Sequence, residues 1–149
     1  MQIKVDGRII KIRNSSWDDY NYCYTLAKRN MQPVYKKHKL EWKPKIYRKN
    51  FVPKFVKLLE YNNRRIGFYR LVFKENSWYL SDLQISGLLR GKGIGTKIMM
   101  LLETIVKKKG CNTIKLRVFS DNPAINLYKK LGYKVLEKQG SSYLMKKKF

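Results

Sequence analysis

The sequence predicts one α/β domain with a mixed, mostly antiparallel central sheet flanked by helices. Three observations carry this. Runs of β-branched and aromatic residues with period-two alternation recur along the chain. Three other segments keep helical spacing. Turn residues separate these runs without repeats or a Ser- or Gly-rich linker. A chain of 149 residues with 44% hydrophobic content can bury a sizeable core as a single domain, residues 1–149.

The elements follow in order. IKV, Asp6-Gly7 and IIKIR read as a hairpin. Ser16 and Asp19 resemble a capping box, with Asp in place of the usual Glu or Gln, and Tyr20, Tyr24, Ala27 and Met31 continue at helical spacing. Pro33, Pro44 and Pro53 are expected to keep any further helix short. KFVKLLEY, IGFYRLVF and WYLSDLQI form three strands, with Asn62-Asn63 and Glu75-Asn76 at the turns of an antiparallel meander. Ile94, Ile98, Leu101, Leu102 and Ile105 share one stripe of a long helix that Gly110 stops. TIKLRVF alternates as a strand. Asn122 and Pro123 start a helix with Ala124, Leu127, Tyr128 and Leu131 on its apolar face, and YKVLEK and SYLMKKKF close the chain as a hairpin.

Composition narrows the function. Thirty-four Lys and Arg against ten Asp and Glu give a net charge of +24, which favours an anionic partner such as RNA, the ribosome or a phosphorylated ligand; a solubilising, lysine-biased surface is the plainer alternative. Cys23 and Cys111 lack metal or redox spacing, and His38 is the single histidine, so a zinc site or a Ser-His-Asp triad has little to build on. No run is long enough for a membrane span, and MQIKVDGRII lacks a signal-peptide core, giving the expectation of a cytoplasmic protein.

LLRGKGIGTK places three glycines directly before the long helix. A dinucleotide fingerprint counted from Gly93 needs glycine where Ile98 stands, and counted from Gly91 where Thr96 stands. A Walker loop needs glycine at Ser86, so spacing excludes both. A glycine turn entering a helix still exposes unpaired N–H groups at the positive end of the helix dipole, with Arg90 and Lys92 adding charge. One glycine suffices for a tight turn, so three favour a pyrophosphate seat.

Arg90 to Gly95, R-G-K-G-I-G, resembles the [Q/R]-x-x-G-x-[G/A] signature of the GNAT acetyltransferases. DNPAINLYKKLGY resembles a second block of that family, with Ala124, Tyr128, Gly132 and Tyr133 at matching intervals. Two departures stand out. Gly87 replaces a proline of the family pattern, and Asp121 occupies the usual Asn position, with Asn122 one place late. The resemblance covers roughly residues 64–149, an acetyl-CoA-binding core, and leaves residues 1–60 as the acceptor side.

The resemblance implies direct transfer of acetyl from acetyl-CoA to an amine, without a metal. It implies that the turn Arg90, Gly91, Lys92, Gly93, Ile94, Gly95 and Thr96 holds the pyrophosphate, that Leu83 and Ile85 pair with the pantetheine arm, and that Asn122 contacts the cofactor. Tyr128 matches the acid that protonates the leaving thiolate, although its place on an apolar face also suits a core residue. Asp82 shares a strand face with Gln84 beside the expected thioester and is the leading carboxylate for a general base. A structural Asp, Glu75, Glu41 or a water chain are the alternatives. YKKHKLEWKPKIYRKNF, residues 35–51, interleaves aromatics with cations and suits either an anionic partner or a solvated face whose aromatics reach the core. The rival to an enzyme is a non-catalytic module of the same fold that binds nucleic acid through its charge. The acceptor and the oligomeric state are unspecified by the sequence.

Overall fold

The computed structural model describes all 149 residues as a single α/β domain with an open, mixed eight-stranded sheet. The strands are β1 (Gln2–Val5), β2 (Arg8–Asn14), β3 (Val56–Tyr61), β4 (Arg64–Lys74), β5 (Ser77–Ile85), β6 (Thr113–Phe119), β7 (Lys134–Gln139) and β8 (Ser142–Lys148). Their order in the sheet is β1-β2-β3-β4-β5-β6-β8-β7. The helices are α1 (Tyr20–Lys37), α2 (Pro44–Asn50), α3 (Ile94–Lys108) and α4 (Ala124–Lys130). No helix is long and apolar enough to cross a membrane. The chain packs as two compact units, Met1–Arg70 with Asp82–Gly93, and Leu71–Ser81 with Ile94–Phe149.

The first unit holds the amino-terminal hairpin, the meander and two helices. Asp6 and Gly7 both take positive φ, as a two-residue hairpin turn requires, and β1 pairs antiparallel with β2. The Ser16–Asp19 capping box is present, but it caps a 3-10 turn, Trp17–Asp19, that leads into α1. Asp19 is buried and accepts from both terminal nitrogens of Arg13 (2.9 Å each) and from the Ser16 N–H (3.0 Å), with Arg65 Nε at 3.1 Å. Pro33 was expected to break the helix, yet it lies inside α1. Pro33 and Arg29, whose carbonyl loses its helical donor, are both exposed, so the proline costs α1 no buried hydrogen bond. Pro44 instead opens α2 at its first turn. Cys23, Leu26 and Ala27 of α1 are buried with Phe51, Val56, Leu58 and Phe68.

In the second unit, β5 runs parallel to β6, Trp78–Leu80 against Ile114–Leu116. Parallel neighbours need a crossover, and α3 supplies it. The stripe of α3 is rotated from the expected one: Ile94, Ile98, Met99, Leu102 and Val106 are buried, while Leu101 and Ile105 are only partly so. On α4 the buried residue is Ile125, with Ala124, Leu127, Tyr128 and Leu131 half-buried around it. The final hairpin forms as expected, but β8 enters between β6 and β7 and pairs antiparallel with both.

Candidate active site

Past Ile85, the Ser86 N–H donates to the Ile66 carbonyl (2.8 Å), and a 3-10 turn, Gly87–Leu89, delivers Arg90. Gly91 and Gly93 follow with φ of +73° and +83°, a conformation that side chains disfavour. A Cβ at Gly91 would meet nothing within 4 Å, and one at Gly93 only Val5 Cγ1 at 3.7 Å. Backbone conformation, not crowding, therefore demands these glycines, and the space beside them is open. Gly95 differs: it lies in α3, where a Cβ would make ordinary contact with Leu127 at 3.6 Å. The first turn of α3 carries no acidic residue against the positive dipole end. Ile94 is 2% exposed and packs into the core, so its side chain anchors the first turn of α3. This turn fits a pyrophosphate such as that of coenzyme A: unpaired amides, open approach and the cations Arg90 and Lys92.

Asp82 and Gln84 meet on one face of β5, as period-two alternation requires. Gln84 Nε2 donates to Asp82 Oδ1 at 2.7 Å. Gln84 is buried; Leu83 and Ile85 are partly exposed. Loss of hydration pushes the Asp82 carboxyl up to about 6, opposed by the Gln84 bond, the Arg70 charge and the Leu83 backbone. The carboxylate is felt by its neighbours, since burial and its charge together raise the Tyr47 and Tyr35 hydroxyls. Arg70 is half-buried, and desolvation lowers its pKa despite Asp82.

Two contributors have no counterpart in the sequence analysis. Asn30 of α1 donates from Nδ2 to Gln84 Oε1 (3.0 Å) and to the Ile85 carbonyl (3.3 Å), and accepts at Oδ1 from an Arg90 terminal nitrogen. Arg90 Nε also donates to the Ile85 carbonyl, at 3.2 Å. Gly67 of β4 presses against β5, where a Cβ would lie 2.4 Å from the Gln84 carbonyl oxygen. A glycine inside the apolar run IGFYRLVF signals such an approach, whereas nothing near Asn30 in sequence points to β5. The first unit also holds an aromatic wall. Tyr24 packs on Trp42 (6.0 Å) and edge-on to Tyr47 (5.5 Å), and Trp42 Nε1 donates to the Tyr24 hydroxyl at 3.3 Å. The aromatics of residues 35–51 thus reach the core while most of the cations there stay in solvent. Tyr24 also lines an open groove of about 350 Å³ with Thr25, Lys28, Arg29 and Gln32.

In the second unit, Tyr128 is half-buried on α4, its ring edge-on to Tyr133 at 6.1 Å. Tyr133, at 2% exposure, is the core tyrosine of the pair. Asn122 Oδ1 accepts from the N–H of Ala124, the first residue of α4, at 2.9 Å, which leaves Nδ2 as what Asn122 offers a ligand. No three His, Cys, Asp or Glu side chains gather as a metal site.

Comparison with known proteins identifies the family. A sequence model described as the Acetyltransferase (GNAT) family matches residues 10–133. Thialysine N-epsilon-acetyltransferase of Mus musculus is 37% identical over 73 residues, covering 45% of this chain and 43% of that protein. Spermidine N(1)-acetyltransferase of Thermoplasma acidophilum is 34% identical over 85 residues, covering 56% and 53%. The chain thus matches about half the length of these curated relatives. The fold is that of the PaiA N-acetyltransferase of Thermoplasma acidophilum, solved in complex with coenzyme A: TM-score 0.76 and 23% identity over 94% of this chain and 99% of that one. With the family's sequence pattern running from β2 to the end of α4 and its fold reproduced, the chain belongs to the GNAT family of acetyltransferases.

Proposed function

We propose that this protein transfers the acetyl group of acetyl-CoA directly to a primary amine. The glycine turn carries the reading: Gly91 and Gly93 in left-handed conformations, open space beside them, and Arg90 and Lys92 at the entrance to α3. In this assignment the amides from Gly91 to Thr96 hold the pyrophosphate with Arg90 and Lys92, the backbone of Leu83 and Ile85 pairs with the pantetheine arm, and Asn122 adds a donor.

The chemistry demands three further things. An alkyl ammonium with pKa ~10.4 is neutral in less than about one part in a thousand at pH 7, so a base must take its proton. Asp82, with its carboxyl near 6, is ionised at neutral pH and serves as that base, directly or through water. The amine nitrogen then attacks the thioester carbon, and the charge moved onto its oxygen is stabilised by a backbone N–H of Leu83–Ile85. Collapse breaks the carbon–sulfur bond and the nitrogen gives up its second proton to water; Tyr128 donates its proton to the thiolate and regains one from solvent, to which Asp82 releases the proton it took from the ammonium.

A primary amine on a flexible chain is common to the thialysine and spermidine named for the relatives, which supports that acceptor class. The groove beside Lys28 and Arg29 disfavours a polycation and favours an amine whose body carries negative charge. Free-thiol release from acetyl-CoA is expected with at least one member of a panel of lysine analogues, polyamines and acidic or basic amino-terminal peptides, fastest with an anionic member. Thiol release no faster than hydrolysis with every amine, together with no coenzyme A binding in calorimetry, would sink the reading; salt-sensitive RNA binding would then favour the non-catalytic alternative.

A further inference from the structure

The side chains of Arg90, Asn30, Gln84 and Asp82 form one hydrogen-bonded run. Its polarity is forced by chemistry. A guanidinium can only donate, so Asn30 must turn its Oδ1 towards Arg90. The Asn30 amide nitrogen then faces Gln84 Oε1 and the Ile85 carbonyl, at 3.0 and 3.3 Å. With Oε1 committed to Asn30, Gln84 presents its own amide nitrogen to Asp82 Oδ1 at 2.7 Å. The run ends at a carboxylate, which when ionised can only accept. Reversing either amide would set acceptor against acceptor at one end.

We propose that Asn30 is a positioning residue: it fixes the orientation of Gln84, through Gln84 that of the Asp82 carboxylate, and so ties the turn bearing Arg90 to Asp82. The functional meaning rests on the roles given above to Arg90 and Asp82, but the coupling itself does not. Donors in a hydrogen-bonded chain polarise one another, so the charge on Arg90 strengthens the Gln84 donor and steadies ionised Asp82. An anion drawing on Arg90 weakens that support and raises the proton affinity of Asp82, making it a stronger base once the turn is occupied. The other groups around Asp82 are Arg70 from β4, Tyr47 from α2, and Tyr35 and Cys23 from α1. They act on Asp82 independently of Asn30, so the test must separate their through-space effect from the chain.

Five aspartates, Asp6, Asp18, Asp19, Asp82 and Asp121, make carbon-13 carboxyl NMR of aspartate-labelled full-length protein tractable, and Asp82→Asn assigns the signal. Asn30→Ala is expected to raise the Asp82 pKa by about half a unit or more, although Asn30 makes no bond to Asp82. In a Gln84→Ala background the same substitution should shift it by less than about 0.2 unit, the non-additivity of a shared chain. Arg90→Ala should likewise raise it more in wild type than in Asn30→Ala, because only wild type transmits the loss through bonds. Equal shifts in both backgrounds, or no shift on Asn30→Ala, would overturn the proposal. Alanine is the best helix former, so α1 is expected to persist, which circular dichroism checks. None of these measurements uses acetyl-CoA or an acceptor, so they stand or fall apart from the transfer assay.

Discussion

Tyr128 and Asp82 pose different problems at the scale of single residues. Tyr128 could serve either packing or chemistry from its position on an apolar helix face. The structure gives the deeper place to Tyr133 and leaves Tyr128 half-buried. Tyr128→Phe keeps the ring and its edge-on contact but removes the proton donor. It is expected to lower kcat about 10- to 100-fold, with KM for acetyl-CoA within about twofold, in steady-state kinetics; unchanged kcat would remove Tyr128 from the chemistry. Asp82 and Gln84 were legible as a pair because strand alternation puts residues two apart on one face. Asn30 was not: its partners lie on a strand reached only through long-range folding, and no local pattern in α1 encodes it.

Elements were more legible than contacts, because their signals are local. Asn62-Asn63 and Glu75-Asn76 all take positive φ, the conformation that two-residue hairpin turns need. The inserted Pro33 and the rotated stripe of α3 were missed because exposure and packing decide them. Gly67 joins this scale to the site. It pairs with Leu59 of β3 beside a register shift, and on its other side it touches the β5 backbone at Gln84 and Ile85. A methyl 2.4 Å from a carbonyl oxygen cannot be absorbed by a side-chain rotation. Gly67→Ala is therefore expected to destabilise by about 2 kcal/mol or more in urea unfolding. Whatever the mutant retains should show a displaced β5, read as a changed Asp82 carboxyl shift. A fully stable Gly67→Ala protein with an unmoved Asp82 signal would show that the strands have room.

Across the whole molecule, charge was legible in total but not in placement. Between residues 28 and 54 Glu41 is the single acid, whereas Asp19 is held by Arg13 and Arg65 within the first unit. These acids give opposite pH dependences. Asp19 is depressed below 3.8, chiefly by Arg13, so its contribution is present above that pH and is lost as pH falls through its folded value. Asp82 is raised from 3.8 to about 6, so the folded state binds its proton more tightly and stability falls as pH rises through that window. Asp82→Asn can still accept from Gln84, and it is expected to stabilise the protein at pH 7 by about 1–2 kcal/mol while lowering transfer activity. Thermal melts from pH 4 to 8 check the first effect and initial rates the second; full activity across that range would end the role of Asp82 as base. The order β6-β8-β7 has a separate consequence for how the chain assembles. The strand that emerges last of the three occupies the middle place, so β7 has no sheet to join until Ser142–Lys148 has been made. Throughout that interval β6 presents an open edge, and the lysines of β6 and β7 are what discourage a stray strand from filling the gap.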